Sequence, residues 1–202
     1  MPHTDAALRD PTDAADDRPR RPAVRVAALV AFLVGLAVGG AVRAWQISGR
    51  GVLTWNDTTD FLAVARSSWI DPDLWAGARA PGVPVVLKLL GGDGERYMAV
   101  QAGFAAAAWA ALCASVATVV APRWPRVVAV GAIVAFSVTT PVTMWERSVL
   151  SESPGVAALV LLVAAGVQLA RGPSSGRVAM VAAALVPWLA VRDTHVVVAG
   201  VA

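Results

Sequence analysis

Charge is scarce in this chain. Asp, Glu, Lys and Arg make up 15% of its 202 residues, where a soluble domain carries about 25%. Hydrophobic residues reach 57%, above the usual range of about 45–50%, and mean hydropathy is +0.62. Together these values exclude an ordinary soluble core and point to a membrane protein. Cysteine is nearly absent. The single Cys113 rules out an internal disulfide and any multi-cysteine metal site; inside an apolar run it reads as a small buried thiol. The net charge of +3 comes from few ionisable groups. It reflects arginines at membrane boundaries and makes nucleic acid no expected partner. No Walker loop, G-x-S-x-G elbow, H-E-x-x-H helix or zinc pattern occurs.

What remains is a series of long apolar runs. Residues 1–22 are rich in Asp, Arg and Pro and cannot bury enough apolar surface to fold, so a disordered tail is expected. About 20 apolar residues cross the roughly 30 Å of hydrocarbon in a bilayer. Ala23 to Trp45 meets that length, with Arg25 and Arg43 near its ends, where they can snorkel to water. Further spans are expected at Met98–Ala121, Val127–Trp145, Pro154–Ala170 and Val178–Val191, and apolar sequence resumes before Ala202. Trp45, Trp145 and Trp188 fit an interfacial aromatic belt. The long segment 46–96 is broken by Pro and Gly and predicts short helices at 57–69 and 82–90. The fold class is therefore all-α. A polytopic transmembrane bundle of five to six spans is expected over 23–202, with a large first outer loop carrying short interfacial helices.

Arginines set the expected orientation. Arg18, Arg20 and Arg21, then Arg123 and Arg126, then Arg171 and Arg177 fall on one side if the spans alternate. The positive-inside rule makes that side the cytoplasm, with the N-terminus inside and the chain multi-pass in the plasma membrane. Segment 46–96, the link 146–153 and the "RDTH" stretch then share the outer face, where most of the acids lie.

Four short stretches on that face carry chemistry. In "NDTTDF", Asp57 and Asp60 stand near the start of an expected helix. They read either as a cap with a favourable first-turn charge or as acids of a site. In "RAPGVP", Arg79 is a forked donor suited to phosphate, or a surface arginine before a turn. In "WERSVLSESP", Ser153 and Pro154 make a good cap and first-turn pair, leaving Glu146 and Glu152 in the link. In "VRDTHVV", Arg192, Asp193 and His195 interrupt apolar sequence, either as a boundary pair or as functional groups.

The order of these stretches resembles the GT-C class of polytopic glycosyltransferases, and most of all the branch of protein O-mannosyltransferases and the lipid A aminoarabinose transferase. The matching motifs are Asp57-Thr-Thr-Asp60-Phe61, Arg79-Ala-Pro81-Gly82-Val-Pro84, Gln101 early in the second span, Glu152 before the fourth and Arg192 after the fifth. Such enzymes usually have about twice as many spans, so the chain is expected to be the N-terminal part of a longer module. The resemblance implies inverting transfer from a polyprenyl-phosphate sugar to a hydroxyl of a lipid, glycan or protein acceptor, among membrane lipids. It implies Asp57 as general base, Asp60 and Glu152 as supporting acids or ligands of a divalent cation such as Mg or Mn, and Arg79 or Arg192 on the leaving phosphate. Glu146 and His195 are further candidates. A transporter-like or non-catalytic membrane protein is the competing expectation.

Overall fold

The computed structural model describes residues 20–191, apart from the side chains of residues 20 and 21. Among these residues the fold is all-helical. Helix α1 (Arg20–Ile47) is followed by three short helices, α2 (Asn56–Arg66), α3 (Pro72–Ala76) and α4 (Gly82–Leu89). Then come α5 (Gly94–Val119), α6 (Arg123–Ser137), the single turn α7 (Thr140–Thr143) with a 3-10 turn at Met144–Arg147, α8 (Glu152–Ala170) and α9 (Ser175–Val191).

Helices α1, α5 and α8 are long and apolar enough to cross a membrane. The pair formed by α6 and the turns at Thr140–Arg147 makes a fourth if its 55° bend lies within one span. Helix α9 is apolar but shorter, at 17 residues. Several such helices fit a membrane-embedded chain in contact with lipid, and α1 displays Val26, Leu29, Val30 and Leu33 on its exposed side. The further span expected after "RDTH" lies outside the described residues.

Helix α5 is the centre of the bundle, with α1 against one side and α8 against another. Its start is fixed by Asp93, whose carboxylate accepts from the backbone N–H groups of Glu95 and Arg96 at 2.9 and 3.1 Å. Small residues let α1 approach it. Ala31, Gly35, Gly39 and Arg43 recur every four residues and are buried in one line. A side chain at Gly35 would stand 3.2 Å from Ala110 Cα and 3.3 Å from Cys113 Sγ, so any larger residue would make α1 or α5 give way by a few tenths of an ångström. Cys113 is buried there, as expected. On the other side Ala105, Ala108 and Trp109 pack against Ala157 and Val160 of α8.

Arg43 does not snorkel. It is 1% exposed and faces the bundle interior. Its Nε donates to Glu146 Oε1 at 2.9 Å, Nη1 to Gly39 O at 3.2 Å and Nη2 to Ser137 O at 3.0 Å. The reason lies in the break after α6. A helix that stops inside a bilayer leaves carbonyls without intrahelical partners, and each must be satisfied by protein. Arg43 supplies a donor to one of them, and Glu146 balances its charge.

Helices α2 and α4 sit over a separate small core, in which Phe61, Ala65, Val83, Leu87 and Tyr97 meet Val149 and Leu150. The end of α9 reaches the same place, its Ala190 carbonyl lying against Gly82. The segment 48–93, the link 144–151 and the C-terminal end of α9 therefore gather at one end of the bundle.

Candidate functional site

Helix α2 begins one residue before Asp57. Trp55 is its cap residue, and the Trp55 backbone N–H donates to Thr58 Oγ1 at 3.0 Å. Asp57 is thus not the cap; it lies in the first turn, where its charge still favours the helix dipole. Asp60 lies beyond the first turn, where a cap at Asp57 would have placed it. The buried face consists of Thr58, Phe61 and Ala65, and the two acids lie beside that face. Each is about half exposed, at 50% for Asp57 and 58% for Asp60.

Arg79 holds both acids. A single nitrogen, Nη2, donates to Asp57 Oδ1 and to Asp60 Oδ2, each at 2.7 Å. These bonds, Asp60 first and Asp57 second, hold the guanidinium above its ordinary pKa. The planar group also lies over Phe61, 5.4 Å from the ring centre, a cation–π contact that fixes its orientation. Arg79 is carried on the turn before α4, and Gly82 locks that turn in place. A Cβ at Gly82 would come 2.6 Å from Ala190 O, so the glycine of "RAPGVP" is where α4 touches α9.

Helix α8 starts at Glu152, with Ser151 as its cap residue. The expected Ser153–Pro154 start is displaced by two residues, and Ser153 is buried within the helix. The shift puts Glu152 in the first turn, pointing into the same cleft as Asp57. That cleft has a volume of about 750 Å³ and is lined by Thr54, Trp55, Asn56, Asp57, Trp145 and Glu152, among others. Trp55 and Trp145 form one wall, their rings 5.7 Å apart and tilted by 44°. The Trp55 indole N–H donates to Ser148 Oγ at 3.1 Å, so this wall is held in position. The Leu53 backbone N–H donates to Arg147 O at 2.7 Å, joining the two segments that form the cleft.

Gln101 anchors the far side. Its Nε2 donates to Glu146 O at 2.5 Å and to Ser148 O at 2.9 Å, so it pins the link that leads to Glu152. Of the candidate residues, Asp57, Asp60 and Arg79 form one bonded group, and Glu152 shares the cleft with Asp57. Glu146 does not face the cleft; it is buried and paired with Arg43. Arg192 and His195, with Asp193, lie outside the described residues. Among the described residues no three His, Cys, Asp or Glu side chains are arranged to hold a metal ion, and Arg79 takes the bridging position between the two aspartates.

Lys88 is a contributor that sequence reasoning does not single out. From α4 its Nζ donates to Ala65 O at 3.2 Å and to Ser67 O, capping the C-terminus of α2. It also sits 5.1 Å from the centre of the Trp69 ring. The signal that could find it is its position on a helix facing α2, and that requires knowing that α2 pairs with α4.

No known family model, curated protein or solved structure matches the chain.

Proposed function

We propose that the chain is part of an integral membrane glycosyltransferase that moves a sugar from a polyprenyl-phosphate donor to an acceptor hydroxyl, with inversion. The observation that carries this reading is the shared cleft, lined by an acid on α2 and an acid on α8, with an arginine bonded to the first of them. Asp57 takes the proton of the acceptor hydroxyl. The hydroxyl oxygen attacks the anomeric carbon as the bond from that carbon to the phosphate oxygen breaks. Arg79 turns from the carboxylates to the departing phosphate and offsets the charge that develops there. The exchange is cheap, because half-exposed ion pairs of this kind are worth at most about 1 kcal/mol. Glu152 orients the sugar hydroxyls. In this reading the bundle has five or six spans, the 46–96 segment lies outside a plasma membrane and the N-terminus lies in the cytoplasm.

A second reading, a non-catalytic membrane protein, is favoured by one observation: Arg79 already engages Asp57 and Asp60 in ion pairs. The two readings separate in one experiment. Membranes containing the full-length protein to which the chain would belong in this reading receive radiolabelled polyprenyl-phosphate mannose, glucose or aminoarabinose, and label transfer is followed. The Asp57→Asn variant should transfer at least about 100-fold more slowly, the usual range for a lost general base. Equal transfer by the variant removes Asp57 from its role. No transfer by the wild type from any donor sinks the enzyme reading.

A further inference from the structure

We propose that the groove between α1 and α6 binds an anionic phospholipid, with an acyl chain along the groove and the phosphate held at its lip by Arg123 and Arg126. The groove has a volume of about 920 Å³, and its walls are apolar side chains such as Val30, Val34, Val127 and Val134. Along α6 it extends from Arg123 to Val138, roughly 22 Å at the helical rise. That is more than one leaflet's share of a hydrocarbon core of about 30 Å, so an acyl chain fits along it.

Three features mark its lip as a phosphate site. Arg123 and Arg126 both line that end. Arg126 is held in place, because its Nε donates to Val120 O at 2.8 Å and its Nη2 to Ala121 O at 3.0 Å. These bonds use two of the five guanidinium donors. The same end is the N-terminus of α6, where Pro122 gives no side-chain cap and the first turn contains no acid. Uncapped N–H groups and the helix dipole favour an anion there. Trp124, 74% exposed, lies 6.0 Å from Arg123 Cζ. An exposed tryptophan beside an arginine marks headgroup level, which is where a lipid phosphate sits.

The charge balance selects the lipid. Among the described residues the groove lining contains no Asp or Glu. Arg123 and Arg126 bring two positive charges to the lip, so an anionic headgroup such as that of phosphatidylglycerol is favoured over a zwitterionic one. Helix α6 also keeps its side of the groove open. Gly131 lines it, and a Cβ at Gly131 would meet nothing within 4 Å.

The test uses native mass spectrometry of the whole chain in detergent. Dioleoyl-phosphatidylglycerol, dioleoyl-phosphatidylcholine and glycerol 3-phosphate are each titrated in. The expected result is roughly tenfold tighter retention of the phosphatidylglycerol than of the phosphatidylcholine, and no retention of the phosphate without its chains. At about 1 kcal/mol per arginine near a lipid surface, Arg123→Ala should weaken phosphatidylglycerol retention about fivefold. Gly131→Leu leaves both arginines in place and fills the groove, so it should lower retention of both lipids. Equal retention of the two lipids, or an unchanged Gly131→Leu variant, overturns the proposal. So does a dimer that forms without lipid preference and is lost in Gly131→Leu, because a second copy then fills the groove.

Discussion

Arg43 and Glu146 carry the most exacting interaction in the molecule. A charge buried without its partner costs far more than the pair itself contributes, because the remaining ion keeps its desolvation penalty. Glu146→Ala should therefore cost about 3–5 kcal/mol. The double variant Arg43→Met, Glu146→Leu should cost less than Glu146→Ala alone, with Ser137 O losing one donor. Denaturant unfolding in detergent measures both. Additive losses would show that the two side chains are not coupled. The sequence could not reveal this pair. Its members are 103 residues apart, and an arginine at the end of an apolar run looks like one that reaches water. The break after α6, which leaves a carbonyl for Arg43 to satisfy, has only Pro141 as a local sign. The bonding of Asp57, Asp60 and Arg79 was hidden for a similar reason, since oxyanion chemistry identifies each residue but not their mutual pairing.

Among the elements, α2 and α4 were legible and their contacts were not. The pattern of Pro and Gly predicts helices at 57–69 and 82–90, and the structure has them at Asn56–Arg66 and Gly82–Leu89. Glycine explains what pattern could not. Gly82 reads as a turn residue, yet its role is close approach: the α9 backbone occupies the space a side chain would need. Gly82→Ala should therefore destabilise the fold by about 1–3 kcal/mol, the usual range for overpacking. Gly166 lies in α8, and a methyl group added there would meet nothing within 4 Å. Gly166→Ala should be neutral or stabilising by up to about 1 kcal/mol. Thermal unfolding of the two variants side by side checks the contrast. Equal effects would mean that α4 does not press on α9. The start of α8 misleads in a different way. Ser153 before Pro154 is a strong start signal, but the helix begins at Glu152 because the link before it is held by Gln101 and by the pairing of Leu53 with Arg147.

At the scale of the whole molecule, what can be tested is how the ends of the bundle are arranged. The segment 48–93 and the link 144–151 gather at one end. At the other lie the turn from α5 to α6 and the turn from α8 to α9, where Gln168 Nε2 donates to Thr118 Oγ1 at 3.0 Å. That second end carries Arg123, Arg126, Arg171 and Arg177, so the positive-inside rule predicts it on the cytoplasmic side. The chain offers its own background for the measurement. Cys113 is its one cysteine and is buried, so a membrane-impermeant maleimide should leave the wild type unlabelled. Ser68 and Ser174 are exposed at opposite ends. In right-side-out vesicles Ser68→Cys should react and Ser174→Cys should not, and permeabilisation should expose the second. The reverse pattern inverts the orientation and puts the Asp57 cleft inside the cell, where a donor displayed on the outer surface cannot reach it. Labelling of both from one side breaks the bundle topology itself, because α8 then fails to separate the two ends.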